Sequence, residues 1–379
     1  MPTIRFVLAP VMPTMSAFRG CSIASAWVLA AVASAAAGAT PSGVMPVTAE
    51  AAPRVPFVAG LTTVRATSEP RGDYETLRVV DAITAQGYRI TASGEVPADD
   101  GSGLLKISIV RRVRAEDQRE ARKVRTYFHS SDGELFAGTV PGFSAAVVND
   151  LRKTGRAQLT YLDVRAAFGA STIRRELSGT IARVDGGATT LPMLVNGRRV
   201  QLPVIHAKGR LANAAGSEEF EYHVLDDPDN PILLRSRGAG TSSALIKIEY
   251  PQPKQTPSPI ERDLAARRPA EVYGIYFSFA RADIRPESER VLKDIAAMLG
   301  QHADWKLQID GHTDAIGGAD SNLDLSRRRA AAVKAALVSR YSVAADRLAT
   351  DGFGQGRPKA DNDTPFGRAL NRRVELRRP

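Results

Sequence analysis

The sequence predicts an α+β protein, in which a mainly β, soluble domain precedes a C-terminal mixed β-sheet covered by helices. Three observations support this fold class. Apolar and polar residues alternate in short runs between residues 55 and 250, five prolines fall between 251 and 269, and strand-like and helix-like runs alternate after residue 271. A chain of 379 residues is also longer than one hydrophobic core ordinarily supports, so we expect two or three domains.

The first 39 residues have the pattern of a secretory signal peptide. An apolar run from Ile23 to Ala37 follows basic residues, and Ala37-Gly38-Ala39 offers a cleavage site before a linker of residues 40–54. We therefore expect cleavage near Ala39 and a periplasmic protein. An uncleaved N-terminal anchor and lipidation of Cys21 are the alternatives. Because Cys21 is the single cysteine of the sequence, the processed protein is expected to have no disulfide and no Cys-ligated metal.

Composition narrows the class of partner. The formal net charge of +10 is modest and dispersed along the chain. Such an excess would favour either nucleic acid or an anionic cell-wall polymer. Because the sequence has no aromatic-plus-basic RNA motif and no zinc-finger spacing, we expect no nucleic-acid partner.

Residues 55–250 are predicted to form a β-rich domain with a curved sheet and one helix. Leu105, Ile107 and Ile109 recur with period two, as in several later runs, and Asn196-Gly197 and Asp132-Gly133 are hairpin signals. Between Pro141 and Gly155, apolar residues at every fourth position predict the helix. Charges crowd the strand runs and aromatic residues are scarce, which favours a soluble domain. Its ligand is left open. It is either a protein-interaction or spacer domain, with other envelope or outer-membrane proteins as partners, or a domain whose groove binds a lipid tail or a peptide.

This region shows no catalytic or metal-binding pattern. His129, His206 and His223 have no Glu or Cys at metal-ligand spacing, and Ser144 lacks the second glycine of a nucleophile elbow. We therefore expect no enzyme activity, no catalytic residue, no cofactor and no metal. Residues 251–270 are rich in proline and are predicted to be a semi-extended linker after this domain.

The C-terminal segment, residues 271–379, alternates strands with helices. The predicted strands are Tyr273–Phe279, a run from Trp305 to His312, and two short runs near LATDGFG and NRRVELR. The predicted helices are Pro286–His302 and Ser326–Tyr341. The first helix has an apolar stripe and the strand after it alternates apolar with polar residues, which indicates helices packed on one face of a sheet.

This segment resembles the OmpA-like C-terminal domain family. The motifs that carry the resemblance, in family-like order and spacing, are IYFSF, ADIRPES, IDGHTDAIGG, SNLDLSRRRAAAV, GFGQGRPKADNDT and GRALNRRVE. The resemblance implies a βαβαββ-like fold and non-covalent binding of peptidoglycan through the diaminopimelate of its stem peptide. It covers residues 271–379 only.

Asp314 and Arg329 are the predicted ligand-binding pair. Asp314 ends the GHTD loop, and a predicted N-cap at Ser326 places Arg329 in the first turn of the second helix. Arginines in a first turn oppose the helix dipole, a conflict that a bound anion would relieve. Arg329 is expected to bind a carboxylate and Asp314 an ammonium, the two charges of a zwitterionic amino-acid centre. The predicted pocket is completed by Asn322, Thr313, Leu325 and Phe277.

Two further interpretations stand beside this one. In the first, Asp314 and Arg329 pair with each other and only pin the loop to the helix. The second concerns the whole chain. The chain either tethers its β-rich domain to the cell wall, with or without contact to the outer membrane, or serves as an N-terminally anchored motility-stator or secretion-system component.

Family members often have acidic or amide residues where this chain has Ser278 and Ala280, so a ligand contact is expected to be missing there.

Overall fold

The structure, a computed structural model, describes residues 54–70, 72–98, 103–125, 137–140, 142–166, 172–184, 189–251, 257–278 and 280–379. Several sequence predictions lie outside these ranges: the signal peptide, residues 40–53 of the first linker, the Asp132-Gly133 turn and His129. In the described part of the chain, no helix is long and apolar enough to span a membrane.

The β-rich region folds into one sheet, of which twelve strands fall within the described residues. These strands are β1 Thr62–Glu69, β2 Gly72–Thr84, β3 Gly87–Pro97, β4 Leu104–Arg114, β5 Lys123–Arg125, β6 Arg156–Ala166, β7 Thr172–Arg183, β8 Thr189–Val195, β9 Arg198–Asn213, β10 Gly216–Leu225, β11 Leu233–Gly238 and β12 Thr241–Glu249. Their order is β4-β3-β2-β1-β12-β11-β10-β9-β7-β6-β5, and β8 pairs with both β9 and β12. Most neighbouring strands are antiparallel, because short hairpin turns connect them.

Local sequence explains the turn and the helix that were predicted in this region. Asn196 and Gly197 join β8 to β9 with φ angles of 48° and 77°, as a type I′ hairpin turn requires. The predicted helix is α2, Ala145–Lys153, which follows the short helix α1, Ala115–Glu120. Ser144 caps α2, since its hydroxyl accepts a hydrogen bond from the backbone N–H of Val147 at 3.2 Å.

The predicted face of β4 is exposed at the start of the strand and buried toward its end. Leu105 is 54% exposed, whereas Arg111 on the same strand is buried. β4 lies at one end of the strand order, where its outer half has fewer elements to pack against. Period-two alternation therefore identified the strand and its inward face, but not the exposure of Leu105.

A four-stranded sheet organises the C-terminal domain. Its strands are β13 Ala270–Val272, β14 Leu307–Gly311, β15 Leu348–Gly352 and β16 Val374–Arg377, in the order β13-β16-β14-β15. Its helices are α3 Pro259–Ala265, α4 Glu289–Gln301, α5 Ala319–Tyr341 and α6 Pro365–Asn371. One apolar core joins Ile295 of α4 and Val333 of α5 to Ile309 of β14, each at most 1% exposed. Ile295 belongs to the helix with the predicted apolar stripe, and Ile309 to the strand with the predicted alternation.

Residues 251–270 are not a semi-extended linker throughout, because they contain α3. Ser258 and Glu261 form a capping box that starts this helix, with each side chain accepting from the other residue's backbone N–H. Leu264 then packs into the core of the C-terminal domain. The prolines in this segment obscured a helix that belongs to the domain.

The predicted first strand, Tyr273–Phe279, is also displaced. The strand is β13, and the residues after it pair with a nearby loop instead of with the sheet. Ser278 N–H donates to the carbonyl of Asp283 at 3.0 Å, and Arg285 N–H donates to the carbonyl of Tyr276 at 2.9 Å. The chain thus folds back on itself here, with Ala280 at a positive φ of 52°.

The described residues all belong to one compact unit, in which the C-terminal domain packs on the large sheet. Ala369 and Leu370 of α6 contact Val64 of β1 within a shared apolar cluster. Next to this cluster, Arg368 donates to Asp73 of β2 at 2.7 Å. The loops of the C-terminal domain therefore face β1 and β2.

Candidate functional site

A cleft of about 420 Å³ lies where the C-terminal domain faces the large sheet. All six residues that the sequence predicts as ligand-binding contribute to its wall: Phe277, Thr313, Asp314, Asn322, Leu325 and Arg329. The opposite wall comes from the β-rich region and includes Tyr74 and Glu75 of β2. The structure therefore brings the predicted residues together and adds a second wall that the sequence did not predict.

Asp314 lies at the start of the loop that connects β14 to α5 and is 8% exposed. One of its carboxylate oxygens accepts from the backbone N–H of Ile316 at 3.0 Å, which holds the loop in a tight turn. The other accepts from the guanidinium of Arg372. Asp314 thus pairs with Arg372 and not with Arg329, so the interpretation in which the two predicted residues pair with each other is wrong.

Arg372 bridges the two walls of the cleft. Its guanidinium donates to Asp314 on one side and to a carboxylate oxygen of Glu75 on the other. Burial alone would lower the pKa of Arg372, but the two carboxylates raise it above the ordinary value. Arg372 is therefore a fully compensated charge that joins the loop of Asp314 to β2.

Arg329 is half-buried in the same cleft and has no such compensation. Its Nε donates to the carbonyl of Arg281 at 3.0 Å, and its guanidinium lies over the ring of Phe277 at 5.0 Å from the centroid. Within the described ranges it makes no ion pair. Burial, followed by repulsion from Arg372, lowers the pKa of Arg329 to about 10. Arg329 consequently stays charged near neutral pH and has no carboxylate partner among the described residues.

Asn322 orders the loop that contains Asp314. Its side-chain amide donates to the backbone carbonyls of Asp314 at 3.2 Å and Ile316 at 3.1 Å, and to the side chain of Gln355 at 2.8 Å. The hydroxyl of Thr313 also donates to the carbonyl of Asp314, at 2.9 Å. These bonds fix the direction in which the carboxylate of Asp314 points.

The position of Arg329 in its helix differs from the prediction. Helix α5 begins at Ala319 with Gly318 as N-cap, so Arg329 lies in its middle and not in its first turn. Ser326 is buried inside the helix, where its hydroxyl donates to the carbonyl of Leu323 and accepts from Gly354 N–H. The proposed conflict with the helix dipole is therefore wrong, because dipole effects are confined to the terminal turns.

His206 and His223 are not isolated, contrary to the sequence-based expectation. They face each other across β9 and β10 with ring centroids 4.2 Å apart, and Glu221 accepts from His206 at 2.7 Å. Their potential ligand atoms lie within 4.8 Å of one another, a spacing that could hold a metal ion. Lys208, 3.3 Å from Glu221, already neutralises its carboxylate, so the local charge does not favour a cation. The sequence could have predicted this proximity, because Glu221 and His223 stand two residues apart on one strand and so lie on the same face.

Sequence reasoning missed Glu75 and Arg372. Arg372 belongs to the motif GRALNRRVE, so it could have been considered as a candidate. Glu75 lies on an alternating strand with nothing to mark it, and only the packing of two domains brings it to the cleft.

Comparison with known proteins confirms the resemblance of the C-terminal segment. A model described as the OmpA family matches residues 276–372. Outer membrane porin F of Pseudomonas aeruginosa is 40% identical over 101 residues, which cover 27% of this chain and 29% of that protein. Peptidoglycan-binding protein ArfA of Mycobacterium tuberculosis is 41% identical over 102 residues, covering 27% of this chain and 31% of that protein.

Similar solved structures match the same share of the chain. The crystal structure of the peptidoglycan-associated lipoprotein from Burkholderia pseudomallei is 29% identical, covers 30% of this chain and 92% of that one, and has a TM-score of 0.27. The chain spans about a third of the length of the first curated relatives that it matches.

Proposed function

We propose that residues 271–379 bind peptidoglycan non-covalently and hold the β-rich domain at the cell wall in the periplasm. The group that they recognise is the free zwitterionic centre of diaminopimelate in the stem peptide. Arg329 binds its carboxylate and Asp314 binds its ammonium. The role is binding and not catalysis.

The unpaired charge of Arg329 is the observation that carries this proposal. A half-buried guanidinium without a carboxylate is costly, because burial removes water without replacing its hydrogen bonds. A ligand carboxylate would restore them through a short, charge-assisted contact. Arg329 lines the same cleft as Asp314, so one ligand of the size of an amino-acid centre can reach both.

Asp314 keeps the capacity to accept an ammonium. Each carboxylate oxygen can accept about two hydrogen bonds. In the described structure one oxygen accepts from Ile316 N–H and the other from Arg372, so further lone pairs are open. The OmpA family match spans both Asp314 and Arg329, and one similar protein is named for binding peptidoglycan, which supports this class of ligand.

Sedimentation with purified peptidoglycan tests the proposal. Asp314→Ala and Arg329→Ala should each lose most of the bound protein, because a lost charge-assisted hydrogen bond weakens binding by roughly ten- to a hundred-fold. Arg329→Lys should also bind poorly, since an ammonium cannot make the planar two-point contact of a guanidinium.

Two neighbours on α5 provide matched controls. Arg327 and Asp324 are exposed and lie outside the wall of the cleft. Arg327→Ala and Asp324→Ala should therefore sediment like the unsubstituted protein. If Asp314→Ala and Arg329→Ala stay folded by circular dichroism and still sediment fully, the proposed recognition of the zwitterion is refuted.

A further inference from the structure

A second cavity, of about 50 Å³, lies inside the curved sheet of the β-rich domain. Its wall includes residues of β1 and β2 and also of the distant strands β4 and β6, so the sheet curves around it. Along β1, Val64 and Ala66 pack toward α6, whereas the alternate residue Arg65 lines the cavity. The polar face of this strand is consequently its inner face.

The cavity concentrates positive charge. Arg65 and Arg78, on neighbouring strands, are 4% and 5% exposed, and the exposed Arg237 also contributes to the wall. The described residues of this wall include no Asp and no Glu. Burial lowers the pKa of Arg65 to about 10, and burial together with Arg65 lowers the pKa of Arg78 well below its ordinary value. Arg65 is therefore a buried charge with no carboxylate among the described residues of the wall, which is unfavourable without an anion.

Three buried groups of the wall have no hydrogen-bond partner among the described residues: Nε of Arg65, the hydroxyl of Thr76 and the hydroxyl of Tyr222. The other two nitrogens of Arg65 donate to the hydroxyl of Ser243 at 2.8 Å and to a backbone carbonyl, which holds the guanidinium in place. Burial raises the pKa of Tyr222 well above its ordinary value, so its hydroxyl stays protonated and can donate. The cavity thus has fixed hydrogen-bond donors that have no acceptor among the described residues.

Water would meet only part of this requirement. A buried water needs roughly 10–15 Å³, so several would fit and could bond the open donors. Water would not offset the charge of Arg65. A phosphate group is small, carries between one and two negative charges near neutral pH, and accepts strong hydrogen bonds from guanidinium and hydroxyl groups.

We propose that the β-rich domain binds a phosphate group in this cavity, either as free phosphate or as the head of a larger molecule that extends past Arg237. The charge of Arg65 offsets that of the phosphate, and Thr76 and Tyr222 donate hydrogen bonds to its oxygens. This cavity shares Tyr74 with the wall of the proposed wall-binding cleft, but the two proposals rest on different arginines and are tested with different ligands.

Isothermal titration calorimetry on the full chain tests the site. The probes are inorganic phosphate and dihexanoyl phosphatidic acid below its micelle concentration, each measured against sodium chloride at equal ionic strength. The unsubstituted protein should bind at least one probe. Tyr222→Phe and Thr76→Val keep the shape of the wall but each remove a donor, so each should weaken binding by roughly ten-fold or more. Arg65→Met should abolish it.

Arg210→Met is the matched control. Arg210 is exposed on β9 and pairs with Glu219, away from the cavity, so this variant should bind like the unsubstituted protein. Tighter binding of the phosphatidic acid would identify a lipid head group as the source of the phosphate, and tighter binding of inorganic phosphate would identify the free ion. The proposed phosphate site is refuted if neither probe binds. It is also refuted if folded Tyr222→Phe and Thr76→Val bind as tightly as the unsubstituted protein, and this result does not depend on whether Arg65→Met folds.

Discussion

At the scale of single residues, two arginines of the cleft have different tasks. Arg372 is held between two carboxylates, whereas Arg329 has a backbone carbonyl and an aromatic ring but no acid in the described part of the chain. The sequence could predict Asp314 and Arg329, because both stand in recognisable motifs. It could not predict Glu75, because alternation along β2 shows which side of the strand a residue occupies and not what packs there.

Replacing Glu75 tests the structural task of Arg372. In Glu75→Ala, Arg372 keeps Asp314 as its only carboxylate in a partly buried position, so the free energy of unfolding should fall by about 1.5 to 3 kcal/mol. Glu219→Ala is the control, since Glu219 pairs with Arg210 at the surface and its loss should cost well under 1 kcal/mol. Urea unfolding of the two variants compares them, and equal losses would contradict the assigned task.

At the scale of elements, the sequence predicted one end of α5 correctly and the other end wrongly. The sequence predicted a helix that ends at Tyr341, and α5 ends at that residue. Its start was placed seven residues late, because Ser326 resembles an N-cap. Only the structure shows that the hydroxyl of Ser326 is occupied by Leu323 and Gly354, the second of which is distant in sequence.

The end of α5 gives a prediction about stability. Ser342 follows the helix at a φ of 57°, a left-handed conformation that costs an L-residue roughly 1 kcal/mol and glycine almost nothing. Ser342→Gly should therefore raise the free energy of unfolding by about 0.5 kcal/mol. Ser339→Gly, an exposed position inside the same helix, should instead lower it by about 0.5 kcal/mol. Urea unfolding measures both changes, and a loss in both variants would show that the left-handed residue is not strained.

At the scale of the whole molecule, the sequence predicted the two kinds of region but not their contact. Strand runs, the Asn196-Gly197 turn and the helices were readable because each depends on neighbours in sequence. The docking of α6 on β1 depends on the shape of two folded surfaces, which no local pattern encodes. The same limit hid the inner face of β1, where Arg65 follows the alternation of an ordinary solvent-facing strand.

An ion-pair network that joins the two sheets predicts a pH dependence. Glu271 of β13 pairs with Arg199 of β9 at 2.9 Å and with Lys359 at 3.1 Å. Burial alone would raise the pKa of Glu271, but Arg199, Tyr273 and Lys359 lower it from 4.5 to about 2. A lowered carboxyl pKa stabilises the folded protein above pH 4.5, and this contribution is lost as the pH falls from 4.5 to 2.

Glu271→Gln should remove this contribution. The variant should be less stable near neutral pH by on the order of 2 kcal/mol, and its free energy of unfolding should fall less steeply with acid below pH 4.5. Urea unfolding across this pH range measures the slope. Glu219→Gln, at an exposed carboxylate, should leave the curve close to that of the unsubstituted protein. A Glu271→Gln curve with an unchanged acid slope would contradict the role given to this pair.

Calorimetric titration with two soluble muropeptides tests the central claim most directly. Both end in diaminopimelate, and in the second peptide the free amine of that residue is acetylated. Acetylation removes the ammonium assigned to Asp314, so the unsubstituted protein should bind the acetylated peptide roughly ten- to a hundred-fold more weakly. Asp314→Ala should bind both peptides weakly and no longer distinguish them, because the partner of the amine is gone. Equal affinity of the unsubstituted protein for the two peptides would contradict recognition of the zwitterion by Asp314 and Arg329.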